Sequence, residues 1–111
     1  MAATLTEETV ATPVRMDVED GIAIIRLNQP GKPVNVISAD LVEAMHGILQ
    51  RLEEGGEGVR AAVIISDKKG SWIAGADIEQ FRDFKTPADG ERASREGQKL
   101  LTRLERLVMP T

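Results

Sequence analysis

The sequence predicts an α/β fold, and three observations carry that expectation. Two short runs with strand periodicity meet at Asp20-Gly21, and an apolar stripe at helical spacing follows from Leu41 to Leu52. A β-branched run, Ala61 to Ile65, comes directly after that stripe. A helix lying between strands of one sheet implies a crossover connection and layers of helix on sheet.

Each element has its own local reason. Val14, Met16 and Val18 alternate with Arg15, Asp17 and Glu19, the period of a half-exposed strand. Asp-Gly is a strong signal for a two-residue hairpin, and Ile22, Ala23, Ile24, Ile25 and Leu27 then form a second strand. This strand is the more apolar of the two, so it is expected deeper in the sheet. The run Asn28 to Pro33 contains two prolines and a glycine and reads as a loop. Ser38 is placed to cap a helix, with Asp40 in the turn where the helix dipole favours negative charge. Leu41, Val42, Met45, Ile48, Leu49 and Leu52 give that helix one apolar face, and Gly55-Gly56 ends it.

The strand at Ala61 to Ser66 is bounded by Asp67 and Gly70. Ile73, Ala74, Gly75 and Ala76 then lead into Asp77, an N-cap residue with Gln80 three positions on, which opens a short helix running to Phe84. Pro87 is expected to break the chain before a longer helix from Glu91 to Leu107. Its stripe is Ala93, Gly97, Leu100, Leu101, Leu104, Leu107 and Val108, with Arg92, Arg95, Glu96, Lys99, Arg103 and Arg106 mostly facing water. A proline after a helix normally introduces another element, so Met109-Pro110-Thr111 reads as a chain cut short. The expected division is a flexible lead-in over 1–13 and a partial domain over 14–111.

Composition narrows the function classes. With 111 residues and 41% apolar content the chain is long enough for one small buried core. A net charge of −4, no basic block and 3% aromatic residues argue against nucleic acid as a partner. No apolar run approaches the ~20 residues of a membrane span, and Met1 to Thr12 resembles neither a secretory signal nor a transit peptide. The absence of Cys excludes thiol chemistry and disulfides and fits a cytoplasmic location.

The chemistry concentrates at Gly70 to Asp77. Gly70 and Gly75 have the spacing of a phosphate-binding loop, but Ala76 and Asp77 stand where Lys and Ser or Thr are needed. Nucleoside triphosphate binding is therefore rejected. Small residues before a helix start leave backbone N–H groups open to a ligand oxygen, and the Ala76 N–H is the candidate donor. Such donors stabilise a carbonyl that gains negative charge, by about 3–4 kcal/mol each. Close helix–strand packing is the competing explanation for the same small residues. His46 has no partner at metal or triad spacing, and Met45 and Met109 read as core filler.

The stretch WIAGADIEQF resembles the FxAGADIxxF signature of the crotonase (enoyl-CoA hydratase/isomerase) superfamily. GIAIIRLNQPGKPVNVIS is similar to that family's opening strand and loop, and the helix and the AAVIIS strand follow in order. PVNVIS is most similar to the hydratase region of multifunctional fatty-acid oxidation α-subunits. The resemblance implies the N-terminal part of a crotonase-type ββα spiral, truncated at Thr111. It implies hydration of enoyl-CoA in fatty-acid β-oxidation, with no cofactor other than the coenzyme A of the substrate. Homo-oligomers or a multienzyme complex are implied for the longer parent.

By the same resemblance the Ala76 N–H is the catalytic group, one of two donors to an acyl-CoA thioester carbonyl. Ala74, Gly75, Ala76, Asp77 and Ile78 line the thioester end, and Lys32, Pro33 and Val34 lie along the coenzyme A channel. Trp72 replaces the usual Phe, and Glu79 replaces a Lys that faces coenzyme A phosphate in some members; Lys32, Arg82 and Lys85 are the cations available instead. The family's second donor, a GGG-type turn, and its two acid/base glutamates belong to motifs that these residues do not contain. Glu91, Glu96 and Glu105 lie outside the matching motif and read as solvated helix charge. The chain alone is therefore expected to be catalytically inert, with Leu100, Leu104 and Leu107 exposed where more protein would pack. Alternatives are a non-catalytic acyl-CoA-binding or assembly module, or another crotonase reaction such as enoyl-CoA isomerisation.

Overall fold

Asp20 and Gly21 adopt φ of 51° and 80°, the consecutive positive values that a tight hairpin turn of the primed type requires. A Cβ on Gly21 would sit 2.6 Å from the Arg60 guanidinium, which donates to the Asp20 carbonyl at 2.8 Å. The turn is thus fixed both by its own backbone and by a contact from a distant segment. The computed structural model describes residues 12–111, so 1–11 of the expected lead-in lie outside the described residues.

The hairpin joins β1 (Val14–Glu19) to β2 (Ile22–Leu27), antiparallel, with Val14 opposite Leu27 and Glu19 opposite Ile22. Helix α1 (Ala39–Glu54) returns the chain to β3 (Ala61–Ser66), which runs parallel to β2 with Ile22 opposite Ala61. The sheet order β1-β2-β3 makes the apolar β2 the central strand, as its composition predicts. Ser38 caps α1 by accepting the Leu41 N–H at 3.2 Å. Leu41, Met45, Ile48, Leu49 and Leu52 are buried against Val14, Ala23, Ile25, Leu27 and Ala62. Each Val, Leu, Ile or Met side chain among them taken fully out of water contributes about 1.5–3 kcal/mol.

Two elements differ from expectation. The segment after Asp77 is a 3₁₀ helix, Ile78–Asp83, and not an α-helix reaching Phe84. It buries none of its residues, so no packing rewards a full α-helical turn, and 3₁₀ geometry suits so short a piece. Asp77 caps it by accepting the Glu79 N–H at 3.1 Å, without the box to Gln80.

Helix α2 spans Pro87–Glu105, starting earlier than expected because Pro87 opens the helix and does not break it. Proline at a first helical position loses no hydrogen bond. The Asp89 carboxylate closes the N-terminus by accepting from the Lys85 N–H at 2.8 Å and the Thr86 N–H at 3.2 Å. Leu100 is buried and Leu104 and Leu107 pack beside it on the core, so that stripe is not the exposed one. Leu101 and Val108 are exposed instead, at 61% and 97%. Arg103 ties α2 to α1 with two hydrogen bonds to Glu53, at 2.6 and 3.1 Å, and a third contact to His46 Nδ1 at 2.6 Å. Arginine can only donate, so His46 Nδ1 accepts. His46 therefore has a structural partner that spacing along the sequence did not reveal.

Arg103, hydrogen-bonded to Glu53, holds that carboxyl below the ordinary carboxylate range. The backbone N–H groups of Lys85 and then Thr86 do the same to Asp89. A carboxyl depressed in the folded state stabilises the fold above its unfolded-state pKa, and that contribution is lost as pH falls through the folded value. Urea unfolding midpoints should therefore drop as pH is lowered below about 4. The double variant Glu53→Gln/Asp89→Asn should flatten that drop while lowering the midpoint at pH 7.

Candidate functional site

The site is organised by a carboxamide without exposure to water. Asn35 is 0% exposed, in the loop between β2 and α1. Its Oδ1 accepts the Gln29 N–H at 3.1 Å. Its Nδ2 reaches the Leu27 carbonyl at 3.3 Å, Ser66 Oγ at 2.9 Å and the Trp72 carbonyl at 3.2 Å. One side chain thus joins the ends of β2 and β3 to the segment that leads into the 3₁₀ helix. Gln29, 4% exposed, extends the network: its amide donates to Ser38 Oγ at 2.8 Å and accepts the Val36 N–H. Every buried side-chain nitrogen and oxygen among the described residues has a partner.

Backbone pairing completes the placement. The Ala74 N–H donates to the Asn35 carbonyl at 2.8 Å, the Ile37 N–H to the Gly75 carbonyl at 2.7 Å, and the Asp77 N–H to the Ile37 carbonyl at 3.0 Å. This is a one-residue parallel bridge between Ile37 and Ala76. In that pattern the Ala76 N–H points away from Ile37. Among the described residues nothing accepts from it. Gly75 has φ 138°, a conformation costly for any residue with a Cβ, so glycine here is a backbone requirement.

The structure brings the two expected substrate-binding segments together. Lys32 Nζ lies 3.8 Å from Asp77 Oδ2, and both residues line a cleft of about 560 Å³ with Gln29, Pro30, Ser38 and Asp40. Pro33 is exposed and Val34 half-buried on the same loop. Ala74, Ala76 and Ile78 are exposed and Gly75 half-buried. A second cleft of about 560 Å³ runs between α1 and α2, past Val42, His46, Phe84, Ala93 and Gly97. Ala76 lines neither cleft and faces open surface. Arg82 and Lys85 are exposed. Glu91 and Glu96 pair with Arg95 and Lys99 on the α2 surface, which accounts for them as helix charge.

Sequence reasoning missed Asn35, Gln29 and Lys68 as organisers. The available signal was a lone carboxamide between Val34 and Val36, and a glutamine inside a proline-bounded loop. Lys68 Nζ donates to the Gln29 and Lys32 carbonyls at 2.6 Å each, and neither contact has a signature in the sequence.

No family model matches the chain. It is 36% identical over 92 residues to the fatty acid oxidation complex subunit alpha of Idiomarina loihiensis, covering 83% of this chain and 13% of that protein. An enoyl-CoA hydratase from Geobacillus kaustophilus superposes with TM-score 0.78 at 20% identity, over 91% of this chain and 37% of its own. An enoyl-CoA hydratase from Shewanella pealeana gives TM-score 0.79 at 16% identity, over 100% of this chain and 41% of its own. The strand–helix order and the α/β layering are those of the crotonase fold. The chain has the crotonase fold, is similar in sequence to the fatty acid oxidation complex subunit, and spans well under half the length of these relatives.

Substituting Asn35→Leu keeps the branching at Cγ but strands the Gln29 N–H and the Trp72 carbonyl. Each buried polar group left unpaired costs about 1–3 kcal/mol. A fall of at least about 2 kcal/mol in unfolding free energy is expected, read from urea midpoints.

Proposed function

We propose that the chain is the acyl-CoA-binding N-terminal portion of an enoyl-CoA hydratase-type enzyme of fatty-acid β-oxidation, acting in the cytoplasm. The observation that carries this reading is the Ala76 N–H, held by the Ile37 bridge and left without an acceptor among the described residues. A thioester carbonyl placed there accepts that hydrogen bond and is polarised toward an enolate. A fixed donor of this kind contributes about 3–4 kcal/mol when it meets developing charge in a dry site. Ala74 to Ile78 then contact the thioester, and Lys32, Pro33 and Val34 follow the coenzyme A moiety. Trp72, Ile78 and Phe81, exposed by 51%, 74% and 49%, supply apolar surface for the acyl portion.

Coenzyme A enters only as part of the substrate, and no separate cofactor is invoked. The similarity to a fatty acid oxidation complex subunit supports assembly of the longer enzyme as an oligomer or a multienzyme complex. General acid/base chemistry needs carboxyl groups aimed at a water beside the enoyl double bond. Here Asp77 is engaged by the Glu79 N–H and Lys32, and Glu91 and Glu96 by partners on α2. Binding without hydration is therefore expected of these 111 residues.

Calorimetric titration with crotonyl-CoA should give saturable binding that free coenzyme A reproduces only weakly. Loss of enoyl absorbance in the same mixture should not exceed the buffer rate. Absent thioester binding would reject the site assignment, and clear turnover would reject the separation of binding from acid/base chemistry.

A further inference from the structure

We propose that Lys68 is a positioning residue that sets the shape of the coenzyme A-facing loop. The proposal rests on the substrate reading above. Lys68 follows β3, and its ammonium group crosses to the loop between β2 and α1, donating to the Gln29 and Lys32 carbonyls at 2.6 Å each. Those two carbonyls bracket Pro30 and Gly31, where the chain reverses with Gly31 at φ 71°. The Lys68 N–H is itself tied to Ser66 Oγ at 3.0 Å, and the same oxygen accepts from Asn35 at 2.9 Å. The root of the Lys68 side chain is therefore anchored to the buried network, while its tip holds the turn at Pro30 and Gly31 from both sides.

The consequence reaches Lys32. Its carbonyl is fixed by Lys68, while its own ammonium stands 3.8 Å from Asp77, at the start of the 3₁₀ helix that carries Ala76 at its entrance. Lys68 thus sets the separation between Lys32-Pro33-Val34 and Ala74 to Asp77, the two walls between which a coenzyme A thioester would run. A charged donor bridging two carbonyls is stronger than neutral hydrogen bonds. Lys68 lines neither of the two clefts and has no assigned contact to substrate, so its influence passes through the loop.

The test compares wild type, Lys68→Met and Lys68→Arg as full 111-residue chains. Amide hydrogen exchange reads the loop, and calorimetric titration with crotonyl-CoA reads binding. In Lys68→Met, exchange at Gln29 and Val36, whose N–H groups are bonded within the loop, should accelerate about tenfold or more, with the amides of β2 and β3 unchanged. Crotonyl-CoA affinity should fall by about tenfold, and Lys68→Arg, whose fork also spans two carbonyls, should recover most of both. Unchanged loop exchange, or faster exchange with unaltered affinity, would overturn the positioning role. General acceleration across β2 and β3 would also overturn it, by marking Lys68 as a residue of overall stability. Failure of the wild type to bind would instead reject the substrate reading and this proposal's affinity claim with it, an outcome distinct from the others.

Discussion

The structure depends on the hydrogen bonds of the buried Asn35 carboxamide. An amide taken out of water without partners is unfavourable by several kcal/mol. Asn35 is tolerated at 0% exposure because its oxygen and nitrogen both find partners, drawn from three separate stretches of chain. Those partners fix where β2 ends, where β3 ends and where the residues around Trp72 pass. The bridge from Ile37 to Ala76 is a consequence, since the Asn35 carbonyl also accepts the Ala74 N–H. Polar satisfaction in one place thereby orients a backbone donor in another.

Much of the fold was legible because its determinants are local. Alternation in β1, the Asp20-Gly21 turn and the stripe from Leu41 to Leu52 each act within a few residues, and each element formed where its pattern stands. Boundaries failed where two local signals competed. Pro87 reads as a breaker until Thr86 and Asp89 are seen as the frame of a helix start. The segment after Asp77 has a capping residue but buries none of its side chains, and the tighter 3₁₀ form resulted. The fate of Leu100, Leu104 and Leu107 turned on tertiary contact with α1, which helical spacing alone cannot assign.

The candidate site divides in the same way. Gly75 and the small residues around it announced a special backbone, and its φ of 138° gives the physical reason. Asn35, Gln29 and Lys68 act across separations of up to 39 positions, and no periodicity encodes such contacts. Charge follows a similar logic: Arg103 meets Glu53 and His46 from 50 and 57 positions away, joining two helices whose polar faces each look ordinary. Short-range pattern defines the elements; the long-range polar contacts decide which atoms are left free between them.

The decisive atom is the Ala76 amide hydrogen, and nuclear magnetic resonance observes it directly. In a ¹⁵N–¹H correlation spectrum, titration with crotonyl-CoA should move the Ala76 proton downfield, as a hydrogen bond to the thioester carbonyl forms, while free coenzyme A leaves it in place. Perturbations confined to other residues, with Ala76 unmoved at saturation, would contradict the claim that this backbone donor receives the substrate.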